Sequence, residues 1–242
     1  MLTRNWGEAL WLLPATVGAA LTVLIMAVLP PDRTLHSVAD FAFKISPVLF
    51  AVVAIALLPR NRAWAPFAVL LGCALFLGLV DSASFVQVSQ LVDAALANSA
   101  QAQFASYYRF STFVDAFVIL FGLLAYRVGG ATTERVLRLG VAATCLLVSG
   151  LNDLTMWAMY PWPAGVRPDV FDWASHVSIF IGRPPHLVDM LVFLLVHVSL
   201  AALVLILPLP KNRWGQWRHV QLPVARRHPP VTLESAPAPR EH

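Results

Sequence analysis

Six stretches of apolar residues, separated by prolines and charged residues, dominate the hydrophobic pattern of the chain. Each is close to the 17–25 residues, roughly, that a helix needs to cross the hydrocarbon core of a bilayer. Proline pairs such as Pro30–Pro31 and Pro184–Pro185 lie between stretches, where they prevent a helix from continuing. The stretches run over Ala9–Leu29, Val38–Leu58, Trp64–Val86, Phe110–Val128, Val136–Met159 and His186–Leu207. The pattern predicts an all-α, polytopic integral membrane protein, a six-transmembrane-helix bundle.

Composition strengthens this interpretation. Hydrophobic residues make up 58% of the 242 residues and charged residues 12%, whereas soluble domains have about 25% charged residues. The net charge of +4 does not indicate nucleic-acid binding, because most basic residues flank apolar stretches. Cys73 and Cys145 fall within different apolar stretches, so no disulfide framework is expected. The lipid bilayer is therefore the predicted partner, and a homo-oligomer or a larger membrane complex remains open.

Lysine and arginine placement predicts the orientation. The basic residues that share one side of a six-span arrangement are Arg4, Arg60, Arg62, Arg127, Arg135, Arg138, Lys211, Arg213, Arg218, Arg226, Arg227 and Arg240. Fewer lie on the opposite side. By the positive-inside rule, both termini are expected in the cytoplasm of a multi-pass cell-membrane protein. Residues 1–210 would form the transmembrane domain, and residues 211–242 a basic, Pro-rich cytoplasmic tail that is expected to be disordered.

Ionisable residues interrupt five of the apolar stretches at similar depth. Counted at about 1.5 Å per helical residue from the nearest cytoplasmic basic residue, they lie roughly 18–28 Å away. These residues are Lys44, Asp81, Asp115, Asp153 and His197. A charge at the bilayer centre costs at least about 2.5–3.5 kcal/mol, so we expect all five to point inward as a binding and proton-relay site. In that arrangement, Lys44 would pair with one or more of the three aspartates.

Simpler explanations exist for some of these residues. Asp81 and Asp153 could lie at the membrane interface, where a helix meets water. His197 could be a single histidine whose hydrogen bonds are satisfied in the core. Asp115 and His197 have apolar neighbours on both sides, which favours a functional role for them.

The segment "FDWASHVSIFIGRPPHLVDM" concentrates polar residues between the last two spans and at the start of the last one. Asp172, His176, His186 and Asp189 are the ligand types used by zinc, copper or non-haem iron. No HExxH, Cys-pair or EF-hand motif accompanies them, so a divalent metal cofactor stays an open alternative. His186 and His197 are eleven residues apart, about three helical turns, and would share one face. We interpret the first half of the segment as an interfacial lid and the second half as a cavity mouth.

Three functions are compatible with the sequence. The leading one is a membrane protein whose intramembrane Asp/His/Lys site opens to the extracytoplasmic side and binds or moves a cation, a proton or a small polar substrate. Its outward cavity would be lined by Asp81, Asp115, Asp153, His186, Asp189 and His197. The second is a metal-assisted or acid–base enzyme acting on a lipid at the outer leaflet. The third is an accessory subunit of a larger membrane complex.

Overall fold

The described part of the chain is helical. A computed structural model describes residues 9–32, 34–59, 65–96, 100–160, 162 and 167–207. Within them the helices are α1 (Leu12–Val23, continued by a π-helical turn over Leu24–Val28), α2 (Val38–Leu57), α3 (Ala65–Leu75, continued by a π-helical turn over Phe76–Asp81), α4 (Ser82–Leu96), α5 (Ala100–Val128), α6 (Thr133–Leu147), α7 (Leu151–Met159), α8 (Ser175–Ile181) and α9 (Leu187–Ile206). An isolated bridge joins Val170 to His186. The predicted disordered tail, residues 211–242, lies outside the described residues.

Three helices are long and apolar enough to cross a membrane. They are Val38–Leu57, Gln103–Val128 and Leu187–Ile206, and the pair α6 and α7, bent by 43°, would make a fourth if it forms one span. Helices also occupy the first and third predicted stretches, but α1 is shorter and the third stretch is divided by its π-helical turn. By length and composition, the described residues thus support three or four spans of the six predicted.

The bend between α6 and α7 has a local cause. Gly150, which precedes α7, has a φ of 76°, a left-handed conformation that favours glycine. A Cβ at this position would lie 3.0 Å from Cε of Met190 and 3.5 Å from Nε2 of His176. The absence of a side chain therefore allows both the bend and the close approach of α8 and α9.

Close packing also joins α2 to α6. Gly140 of α6 faces Val52 of α2, and a Cβ on Gly140 would overlap the Val52 side chain. Val52 is buried, and its neighbours Ala54 and Ala56 on α2 are buried as well. Small residues allow helix backbones to approach closely in membranes, so this contact fixes the spacing of α2 and α6.

Arg109 of α5 binds the end of α1. Its Nη1 atom donates to the carbonyl oxygens of Ile25 at 3.0 Å and of Leu29 at 2.8 Å. In the π-helical turn, Leu29 N donates to Leu24 O, so the next donor, for Ile25 O, would be the amide of residue 30. That residue is Pro30, which has no N–H. Arg109 supplies the hydrogen bond that the proline cannot.

Arg127, eighteen residues further along α5, makes a similar contact at the other end of the fold. Its guanidinium donates to Leu58 O at the end of α2, at 2.6 and 2.9 Å, and to Ala131 O at 2.9 Å. Eighteen residues are about five helical turns, so both arginines project from the same face of α5. Arg127 is only 1% exposed. Both side chains therefore hold helix ends in place, a role that counting flanking charges does not reveal.

Candidate functional site

A cavity of about 710 Å³ lies where several helix ends meet. It is bordered by the first half of α2, by α5, by the bend between α6 and α7, by the loop before α2 and by α8. The aspartate, lysine, arginine and histidine residues on its wall are Asp32, Asp40, Lys44, Arg109, Asp115, Asp153 and His176. Apolar and aromatic side chains from the same elements form much of the remaining wall.

The structure brings part of the predicted polar layer together. Lys44, Asp115 and Asp153 line the same cavity, whereas His197 does not. Asp81 is the last residue of its π-helical turn, and its side chain lies outside the described part of the structure. The sequence therefore identified three of the cavity's charged residues from their depth alone.

Lys44 pairs with different carboxylates from those expected. Its Nζ atom lies 3.1 Å from Oδ2 of Asp40 and 3.5 Å from Oδ2 of Asp32, and it donates to Thr34 O at 3.0 Å. The predicted pairing of Lys44 with Asp115 or Asp153 is therefore not found, and the alternative pairing with Asp81 involves a side chain outside the described part of the structure. Asp40 is one turn away on the same helix, and the loop before α2 folds back to bring Asp32 and Thr34 to the lysine.

The carboxylate of Asp32, in the loop before α2, is stabilised in its charged form. Partial burial of Asp32 opposes ionisation. Even so, the backbone N–H of Thr34, the side chain of His36 and the positive charge of Lys44 together lower the pKa of Asp32 below its ordinary value. The N–H of Leu35 donates to Oγ of Ser175 at 3.1 Å. This hydrogen bond ties the loop to α8 at the edge of the cavity.

Asp115 of α5 is the least compensated acid on the wall. Among the described residues, no hydrogen-bond donor or cation lies within bonding distance of its carboxylate. A helix that places an unpaired carboxylate against a cavity leaves that group available to a ligand.

Asp153 and His176 form a largely buried pair on the cavity wall. Nε2 of His176 lies 3.6 Å from Oδ2 of Asp153, and the two side chains are 14% and 13% exposed. Burial lowers the pKa of His176 to about 4, and nearby His197 acts in the same direction. His176 is therefore neutral at pH 7. The indole N–H of Trp173 is also close to the Asp153 carboxylate, but it has no partner that meets hydrogen-bond geometry in the described structure.

His197 lies behind this pair instead of on the cavity wall. Its Nδ1 atom is 2.9 Å from Phe193 O. The ring of Phe193 contacts both histidines, with centroid distances of 5.9 Å to His176 and 4.2 Å to His197. These contacts favour the simpler explanation for His197, in which it is a histidine that packs beside the site with a hydrogen bond to the backbone. They do not make it a residue of the cavity wall.

The predicted metal set is not assembled. Asp172 and His186 are exposed, and His176 faces Asp153 instead. Asp189 caps the start of α9, where Oδ2 accepts the His186 N–H at 2.8 Å and lies 2.8 Å from Arg183 Nη1. No group of three or more His, Cys, Asp or Glu side chains with metal-site geometry occurs among the residues that the structure describes. The cavity lining also omits His186 and Asp189, so the expected descent of the cavity along α9 is not found.

Three charged residues on the cavity wall were not predicted as site residues from the sequence. Asp40 was detectable, because its spacing of four from Lys44 predicts an ion pair on one helical face. Asp32 and Arg109 were not, since their positions depend on how the loop before α2 and the end of α1 fold.

Comparison with known proteins adds no constraint on this site. The chain matches no protein-family model, no curated protein and no solved structure, so its function has to be inferred from the geometry of the cavity itself.

Proposed function

We propose that the protein is a multi-pass membrane protein whose cavity binds a cation or a protonatable small molecule and moves it toward or across the membrane. The observation that carries this proposal is the charge of the wall: four aspartates face one lysine, one arginine and a histidine. The four acids outnumber the cations whether His176 is charged or neutral. A negative cavity in a low-dielectric surrounding attracts positive ligands.

The distribution of contacts supports the same conclusion. Lys44 is held by Asp40 and Asp32, and Arg109 donates to two backbone carbonyls. Asp115 has no such partner among the described residues, and the imidazole of His176 beside Asp153 is neutral and does not balance its charge. The uncompensated charge therefore lies with Asp115 and Asp153.

The proposal retains six spans, with both termini in the cytoplasm and the cavity facing the extracytoplasmic side. Helices lie in all six predicted stretches, of which three or four are long and apolar enough to cross a membrane, and the positive-inside rule supports the orientation. In that orientation, the outer boundary of the cavity would consist of helix α8 and the loop that precedes α2.

Flux measurements on purified protein in proteoliposomes test the proposal. The probes are Na⁺, K⁺, methylammonium and protons, the last followed with an entrapped pH-sensitive dye. We expect the wild-type protein to transport at least one of these probes. Asp115→Asn should reduce that flux at least about tenfold, since a hydrogen bond to a charged group contributes about 1.5–3 kcal/mol to binding. Asp172→Asn, which changes an exposed aspartate outside the cavity, should behave as wild type. Flux of every probe that is equal to that of protein-free liposomes would refute the proposal.

One observation favours a second candidate, an acid–base enzyme. A buried Asp–His pair on a cavity wall is an arrangement that can accept and return a proton. Hydrolysis of a lipid by the purified protein, lost in His176→Gln while cation flux stays absent, would support this candidate over the first. The metal-assisted form of the enzyme has no support in the described residues, because no metal-ligand group is formed there.

A further inference from the structure

The size of the cavity bears on the kind of cation it would hold. A site for a bare metal ion surrounds it with several close ligands, and no such group is formed among the described residues. The volume of about 710 Å³ instead falls within the range of about 300–1,000 Å³ that is typical of pockets for small organic molecules.

The wall of the cavity is chemically divided. Apolar side chains such as Leu35, Phe41, Ile45 and Leu147 line it together with the ring of Tyr108. Such a surface favours contact with hydrocarbon or an aromatic ring, at about 0.8 kcal/mol for each buried methylene. Asp115 lies on the same wall and can accept hydrogen bonds from a cationic group.

The two wall cations do not cancel this preference. Lys44 is engaged by two carboxylates and a carbonyl, and Arg109 by the end of α1. A ligand carboxylate would have to compete for both, and it would also meet Asp115 and Asp153. The cavity therefore discriminates against organic anions.

We propose that the ligand is an organic ammonium compound with an apolar body, whose ammonium group binds Asp115 while its hydrocarbon part lies along the apolar wall. This inference rests on the proposed function, because it concerns the same cavity. It adds the requirement that affinity depends on the apolar part of the ligand as well as on its charge.

Isothermal titration calorimetry of the protein in lipid nanodiscs tests the inference, with empty nanodiscs as the blank for partition into lipid. The probes are Na⁺, ammonium, ethylammonium, butylammonium, hexylammonium and hexanoate. We expect affinity to rise by up to about fourfold for each added methylene, with no binding of hexanoate. Asp115→Asn should weaken all the ammonium probes by at least about tenfold.

A size variant gives a second, independent readout. Thr112 is exposed and lines the cavity one turn from Asp115, so Thr112→Phe should reduce hexylammonium binding and leave ethylammonium binding nearly unchanged. Asp172→Asn, outside the cavity, is the matched control for the loss of one exposed carboxylate. It should retain wild-type affinities.

The possible results separate the two proposals. Binding of Na⁺ or ammonium that depends on Asp115 but does not strengthen with chain length would overturn this inference and leave the proposed function standing. Tighter binding of hexanoate than of hexylammonium would overturn both. If no cation binds above the empty-nanodisc blank, both proposals are wrong.

Discussion

Nε2 of His176 and Oδ2 of Asp153 lie 3.6 Å apart, joining α8 to α7 across the wall of the cavity. Both side chains are largely buried. Phe193 of α9 contacts the histidine, and Trp173, in the segment before α8, lies close to the aspartate. This contact connects the polar segment between α7 and α9 to α7 itself, and the burial of the histidine gives the protein a predictable pH response.

We expect the protein to lose stability as pH falls below neutrality, in part because of His176. Burial lowers its pKa from 6.5 to about 4, so the unfolded chain binds a proton more readily than the folded one in this interval. Stability conferred by the neutral histidine is present above about pH 6.5 and decreases toward pH 4, by up to about 3 kcal/mol. Thermal unfolding in detergent at pH 7.5 and pH 5 measures the change.

A matched pair of variants isolates this histidine from the others. His176→Gln should reduce the difference in thermal stability between pH 7.5 and pH 5. His186 is exposed, so His186→Gln should leave that difference as in wild type. An unchanged pH dependence in His176→Gln would mean that other groups account for it.

Gly150→Ala should destabilise the protein for two reasons. A left-handed conformation costs a non-glycine residue about 1–2 kcal/mol, and the new methyl would crowd Met190 at 3.0 Å. Gly182→Ala is the matched control, because Gly182 has a φ of 75° with nothing within 4 Å of an added Cβ. Equal losses of melting temperature in the two variants would show that the contact with Met190 contributes nothing.

The contact between Gly140 and Val52 should behave as a complementary pair. Gly140→Ala introduces a methyl that overlaps Val52, and overpacking of this kind costs about 1–3 kcal/mol. Val52→Ala should partly restore stability in the double variant, although it is destabilising alone. A double-mutant cycle measured by thermal unfolding gives the coupling, and strictly additive effects would exclude the contact. Gly122→Ala, where an added Cβ meets nothing within 4 Å, should have little effect.

The proposed orientation predicts which residues a membrane-impermeant maleimide can reach in intact cells. In a background where Cys73 and Cys145 are replaced by alanine, a cysteine placed at Asp172 should be labelled from outside. A cysteine placed at Arg135, at the start of α6, should be labelled only after the membrane is permeabilised. Both positions are exposed, and labelling of the Arg135 position in intact cells would reverse the orientation.

The length of the apolar stretches predicted where helices occur, because a helix that crosses a bilayer needs a long apolar stretch whatever its tertiary contacts are. Depth counting similarly found Lys44, Asp115 and Asp153, since an ionisable group far from either membrane surface has few alternatives to an interior position. The partners of these residues were not predictable in the same way. Lys44 binds Asp32 because the loop before α2 folds back, and His176 meets Asp153 because Gly150 allows a bend and a close approach. Both depend on tertiary structure.

Replacing Arg109 by leucine should loosen the end of α1, because the carbonyls of Ile25 and Leu29 would lose their donor. Hydrogen–deuterium exchange over residues 24–32 is expected to increase, while exchange in α9 stays as in wild type. A lysine at this position should restore protection only in part, since it lacks the planar fork of donors. Unchanged exchange over residues 24–32 would show that the arginine does not hold this end.

Pro30 therefore has an effect beyond ending a helix. If alanine replaced it, a backbone N–H at residue 30 could satisfy Ile25 O, and the guanidinium of Arg109 would be free to turn into the cavity. The space beside Asp115 would then carry a mobile positive charge, and the preference for organic cations over organic anions should weaken. The missing N–H of Pro30 would in this way influence which charged ligands the cavity accepts, although other helices form most of the cavity wall.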